Sequence, residues 1–377
     1  MTTRNTPARR SAASLLRSLR LPAGLTLALV LALAPALQRA ALSAPRPAAG
    51  LPATLQATGL YVAGSNTEVR PGILAYAPVY PLWSDGAAKR RWIQLPPGKA
   101  IDASRPDAFD FPPGTRLWKE FSMGGRRIET RYIERRADGR WVFATYRWNA
   151  QGSDAVLAPA GGERGLAVAE APGGRYDLPS RNDCLACHEG AAVPVLGVSA
   201  LQLSPERDPL APHAESPRPG DADLRTFVER GLLRRLPQAL LETPPRIAAV
   251  SGSERAALGY LHGNCGHCHN DNGAPAPVKL VLAQQQVAQP AASRERVLQT
   301  TVGVAGRYRP TGATEALSRI APGRAADSLL LLRMRSRHAL LQMPPLGSTQ
   351  PDPEGLALVE RWIDRDLHHP LSATKEP

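Results

Sequence analysis

Cys184-Leu-Ala-Cys187-His188 and Cys265-Gly-His267-Cys268-His269 are the two stretches on which the reading of this chain turns. Between them they use all four cysteines. In each, two cysteines three positions apart are followed at once by a histidine. With 4 Cys and 8 His in 377 residues, chance produces such a pentad about once per thousand chains of this composition. Two of them, 81 residues apart, are a pattern, and the pattern disfavours a disulfide scaffold. On one helical turn the two thiols face the same side with the imidazole beside them. That arrangement serves half a zinc site, a redox dithiol, or covalent attachment of haem with the histidine on iron.

The N-terminus weighs among these. Residues 1–44 read as an export signal: a basic region to Arg20, an apolar run from Leu21 to Leu37, and small residues offering cleavage near Ser43 or Ala44. Arg9-Arg10 is a weak twin-arginine feature. The 17-residue apolar run is short for a spanning helix, so it is either removed or kept as an anchor, and membrane contact depends on its retention. Outside the cytosol a free Cys-x-x-Cys is oxidised unless something covalent occupies it. Two covalently bound haem c groups satisfy both constraints, through thioethers at Cys184, Cys187, Cys265 and Cys268 and iron ligation by His188 and His269. The expected location is the periplasm.

Length and composition bound the rest. A chain of 377 residues holds two or three compact units, and 43% apolar content excludes wholesale disorder. Net charge is +13, but residues 1–43 carry six Arg and no acid, so the remainder stands at +7. Two haems would bring that near +3 through about four ionised propionates. Such a balance does not indicate nucleic-acid binding.

Five of the six tryptophans (Trp83, Trp92, Trp118, Trp141, Trp148) fall in a stretch that alternates like strands. Arg91–Leu95, Thr115–Phe121, Arg127–Glu134 and Trp141–Trp148 are the candidate strands, and Asp138-Gly139 is a hairpin signal between the last two. Residues 161–180 read as a Gly/Pro-rich linker. Helices are expected near 222–233, 253–264 and 327–335, with a closing helix capped by Asp352 and started by Pro353. The fold class is therefore α+β and multidomain: a β-sandwich-like domain over 60–175, a first haem-binding segment over 176–250, and a mostly helical haem domain over 251–370.

Candidate sixth ligands are scarcer. Met343, 74 residues after His269 in Gln-Met-Pro-Pro, suits the second haem, since prolines fix a loop and a soft thioether binds iron. Met334 reads as core. For the first haem no methionine lies between Met123 and Met334, and Thr243 stands where an echo of the Met343 loop (Ala239–Pro245 against Ala339–Pro345) would place one. His213 is the remaining candidate, beside an open site. His262 and His267 read as surface or propionate partners.

The segment from Ser253 to Leu367 resembles a class I cytochrome c, on the helix before Cys265, the Met343-Pro-Pro loop and the closing helix with Trp362. Residues 60–367 as a whole resemble a family of exported di-haem c-type cytochromes of unassigned function. The resemblance rests on Tyr80-Pro-Leu-Trp-Ser-Asp85-Gly-Ala-Ala-Lys89, Arg91-Trp92-Ile93, Phe111-Pro-Pro-Gly114-Thr115, Glu129-Thr-Arg131 and Tyr146-Arg-Trp148-Asn149. It implies a redox protein passing single electrons between exported partners. Two alternatives stand beside it: a di-haem enzyme reacting at the first haem, and a β-domain binding module in which Asp85, Lys89, Lys119, Glu129 and Arg131 are the polar residues of interest.

Overall fold

The computed structural model describes residues 50–272, 278–286, 290–311 and 314–367. The tryptophan-rich stretch forms one antiparallel sheet, in the order β1 (Leu74–Ala75), β2 (Ala88–Gln94), β4 (Arg116–Met123), β5 (Arg126–Arg135), β6 (Trp141–Trp148), β7 (Ala155–Leu157). The Asp138-Gly139 turn joins β5 to β6, with Gly139 at φ 82°, where a residue without Cβ is unstrained. Successive side chains in a strand point to opposite faces. Trp92, Trp118, Tyr132 and Ala144 therefore form one cross-strand row, and Ile93, Leu117, Ile133 and Phe143 the next. The first row packs under Leu55, Leu60 and Tyr61. Ile93 and Leu117 of the second pack under Val195, Val198, Leu203 and Phe227.

The mix of sheet and helix agrees with an α+β chain, but the sandwich expectation is corrected. Both faces of the sheet are covered by irregular chain and short helices. The other sheets among the described residues are two-stranded: β3 (Ile101–Asp102) with β10 (Leu233–Arg234), and β8 (Glu163–Ala167) with β9 (Arg175–Leu178). The reason is in the covering segment, which holds six prolines from Pro205 to Pro237, and proline cannot donate to a ladder. The expected linker over 161–180 is the β8–β9 hairpin. Its glycines serve as turn residues.

The first pentad lies on α1 (Arg181–His188), opened by a capping box between Ser180 and Asp183. After α2 (Leu224–Glu229) and α3 (Ala239–Glu242), α4 (Gly252–Asn264) runs into the second pentad. Then come α5 (Pro290–Thr301), α6 (Leu329–Arg335) and α7 (Pro353–Arg361), the last capped by Asp352 and continued by a wider turn over Trp362–Asp366. Leu258, Leu261, Val297, Leu331, Val359 and Trp362 bury together, and Val79 and Tyr80 from beside the sheet join the same core. Among the contacts close enough to require glycine, Gly355 of α7 lies on the Tyr260 ring and Gly259 of α4 on the Tyr80 ring. Among the described residues no helix is long and apolar enough to cross a membrane. The expected signal lies outside the described residues.

Candidate functional site

A cavity of about 860 Å³ is lined by Cys184, Cys187, His188, Cys265, Cys268 and His269. That volume is near the upper end of ligand pockets, about 300–1,000 Å³. The two pentads are in contact there. Cys268 Sγ lies 3.8 Å from the Ala186 carbonyl, and Asn270 Nδ2 donates to the Gly190 carbonyl at 2.9 Å. The Cys187 and Cys268 thiols are hydrogen-bonded to each other. This pushes Cys187 up to about 12 and holds Cys268 below the usual thiol value. Burial pushes Cys184 up to about 11 and Cys265 up to about 12. None of the four is in a disulfide.

The two histidines are held differently. His188 Nδ1 lies 2.9 Å from the Pro194 carbonyl. A carbonyl only accepts, so Nδ1 carries the proton and Nε2 keeps its lone pair, the tautomer of a metal-ligating imidazole. The His188 ring packs on Phe143 at 5.0 Å, and burial lowers its pKa to about 4. Burial does the same to His269. Its Nδ1 is buried with no hydrogen-bond partner among the described residues, while its carbonyl accepts from Leu282 at 2.8 Å. Among the described residues no three or more His, Cys, Asp and Glu side chains converge as a metal centre would need, so the zinc reading gains no ligand set.

Met343 also lines the cavity, its amide donating to the Arg333 carbonyl at 3.0 Å. Met334 lines it while buried in the helical core. Met123, at the end of β4, lines it too. Spacing missed Met123 because it precedes the first pentad, and only the sheet carries it back to the cavity. His213 goes elsewhere. Its Nε2 sits 2.8 Å from Asp352, its ring stacks 4.6 Å from Trp83, and it lines a separate cavity of about 290 Å³. The structure therefore does not bring His213 to the pentads, because the Asp352 cap of α7 holds its ring nitrogen. Thr243 is also outside the lining. His262 is not a surface residue: its Nδ1 accepts from the Gln284 amide at 3.0 Å and fixes the chain behind the second pentad.

No family model, no curated protein and no solved structure matches this chain. What the site can do thus rests on its own residues. The polar residues of the β-rich half divide by role. Asp85 accepts from the Thr349 and Gln350 amides and ties the loop before β2 to the segment after Met343. Lys89 donates to the Leu82 carbonyl at 2.7 Å. Buried Glu129 accepts from Arg131 at 2.6 Å and from Tyr176 at 2.7 Å. Arg337 reaches the cavity from the chain after α6, with Nε and Nη1 buried and without a hydrogen-bond partner among the described residues and Nη2 donating to the Met334 carbonyl. Cations with spare donors on an apolar wall suit a group that carries both a flat apolar body and carboxylates.

Proposed function

We propose that this chain is a di-haem c-type cytochrome of the exported compartment that passes single electrons between redox partners. The observation that carries this reading is the meeting of both Cys-x-x-Cys-His pentads in one cavity, with His188 in the tautomer an iron ligand needs. The residues fit the group. Cys184 and Cys187 would hold one haem with His188 on iron, and Cys265 and Cys268 the other with His269 on iron. Met343, which lines the same cavity, would supply a thioether for the second. Haem provides reversible one-electron chemistry; the protein sets its potential through ligands, burial and hydrogen bonds. The role of this chain's own residues is to shield, orient and neutralise. Phe143 braces the His188 ring, Pro194 fixes its proton, and Arg337 offers spare donors to an anionic edge.

Adjacent pentads favour a relay within one chain, since each anchor contacts the other through Cys187 and Cys268. The test is expression of the full chain with a c-type maturation system, followed by a pyridine haemochrome assay on the denatured protein. Two covalent haems per chain are expected, falling to one for the double variant Cys184→Ser, Cys187→Ser. Zero covalent haem in the wild-type chain would end this reading.

A further inference from the structure

On the face of the sheet that looks into the cavity, Arg91, Lys119 and Arg131 stand directly opposite one another on β2, β4 and β5. All three line the cavity. Directly opposed residues on one face have Cβ atoms about 4.5–5.5 Å apart, and like charges there are destabilising. Two of the three are compensated: Arg91 by Glu215 at 2.6 Å, Arg131 by Glu129 at 2.6 Å. Lys119, the middle one, has no carboxylate within ion-pair distance among the described residues. Its Nζ sits 4.8 Å over the Phe121 ring, which Arg131 also covers. Burial first, then the cations Arg91, Lys89 and Arg131, push its ammonium well below the usual lysine range, and Glu215, already engaged with Arg91, acts against them. A cation held between two guanidiniums on rigid strands, facing a cavity, is an incomplete pair.

We infer that Lys119 is the anchor of a carboxylate site on the sheet wall of the cavity, with Arg91 and Arg131 as its flanks. A carboxylate beside Nζ would stabilise the ammonium that burial and the neighbouring cations Arg91, Lys89 and Arg131 disfavour. The carboxylate has two sources, a propionate of the haem on the first pentad or a small free carboxylate entering the cavity. The inference rests on the di-haem reading, and the haemochrome count separates the two: a chain without haem fails that reading, not this site alone.

The experiment is a spectroelectrochemical titration of the two-haem holoprotein, wild type against Lys119→Gln, Lys119→Met and Lys119→Arg, each with and without acetate. A neighbouring positive charge favours the added electron, so its removal lowers the reduction potential. If a propionate fills the site, the glutamine and methionine variants shift one haem's reduction equilibrium about tenfold toward oxidised, about 59 mV for a one-electron couple. Arginine restores it and acetate changes nothing. If a free carboxylate fills it, acetate produces a saturable shift in the wild type that both charge-removing variants lose. Unchanged potentials in those variants together with no acetate response would overturn the inference. The methionine variant keeps the stem over Phe121 should glutamine fail to fold. A crystal structure of the wild-type holoprotein decides independently, since a site without any carboxylate oxygen within about 4 Å of Lys119 Nζ is also a refutation.

Discussion

Gly259→Ala tests the contact that joins the sheet to the helix leading into the second pentad. In the interior of a helix this substitution ordinarily stabilises by about 1 kcal/mol. Here an added Cβ would lie 2.0 Å from Tyr80 Cε1 and 2.3 Å from its Cδ1, distances no pair of carbons sustains. The obstacle is the body of a ring, not the tip of a flexible chain. Tyr80 is 4% exposed and has no open side to retreat to. It is also tethered, its hydroxyl donating to Asp208 at 3.1 Å and its amide to Gln202 at 2.9 Å. Overpacking a core costs about 1–3 kcal/mol, and losing a hydrogen bond to a buried carboxylate about 1.5–3 kcal/mol. Against the helix gain, the net loss is about 1.5–5 kcal/mol.

Urea unfolding of the full chain, followed by tryptophan fluorescence, reads this as a fall in midpoint. With a slope of about 3 kcal/mol/M for a chain of this size, the fall is about 0.5–1.7 M. The control reverses the sign. In a Tyr80→Ala background the ring is gone, and Gly259→Ala should raise the midpoint. An unchanged or raised midpoint in the wild-type background would refute the contact as the cause.

Three further outcomes are expected. Glu129→Ala leaves Arg131 uncompensated beside Lys119 and removes the Tyr176 partner, so thermal unfolding should show a loss of about 3–5 kcal/mol, and Glu129→Gln a smaller one. Asp352→Ala removes the cap that accepts from Gly355 at 3.0 Å and the partner of His213, a loss of about 2–4 kcal/mol. Burial pushes the Asp352 carboxyl up, but the hydrogen bonds from His213 and Gly355 outweigh it and hold the group below the usual range. Its contribution is thus present above the unfolded value of about 4 and lost as pH falls through the lower folded value. A wild-type advantage that grows on acidification would contradict this. Met343→Leu should lower the potential of one haem and alter its spin state in absorption spectra, whereas Met334→Leu should leave both in place. A holoprotein indifferent to Met343→Leu would remove that residue as ligand.

How far the sequence carried depended on whether a feature was local. Cys184-Leu-Ala-Cys187-His188 and its twin are set by spacing along a single turn, and so were readable. So were the β5–β6 hairpin, from Asp138-Gly139, and the closing helix, from Asp352-Pro353. What failed was long-range. His213 looked available because its sequence neighbours are prolines and alanine, and nothing local shows that Asp352 lies across from it. Met123 looked irrelevant because β4 returns it to the cavity only through sheet register. The glycines of 161–180 suggested a linker, but they turn a hairpin. The sandwich expectation found the four long strands, β2, β4, β5 and β6, but missed the short edge strands β1 and β7 and could not see that proline-rich chain would cover the sheet.

The same long-range geometry bears on the role of the sheet. A detachable recognition module would keep its own core and touch the part that carries the pentads through a thin interface. Here the cavity wall is built from both. Leu117, Lys119, Arg131 and Ile133 come from the sheet, and Leu282, Ile320, Leu329 and Met343 from the chain after the second pentad. The loop 80–85 reinforces this. Tyr80 lies on Gly259, the Trp83 amide donates to Asn264 at 2.7 Å, and Asp85 holds the Thr349 amide at 2.8 Å. Each of those partners belongs to a helix or loop that positions the second pentad. In the Tyr80-Pro-Leu-Trp-Ser-Asp85 stretch, then, the side chains that invite a binding-surface reading are occupied in holding two halves together. Lys119, which has no carboxylate within ion-pair distance among the described residues, faces inward into the cavity that Cys184 and His188 also line, rather than outward toward another protein.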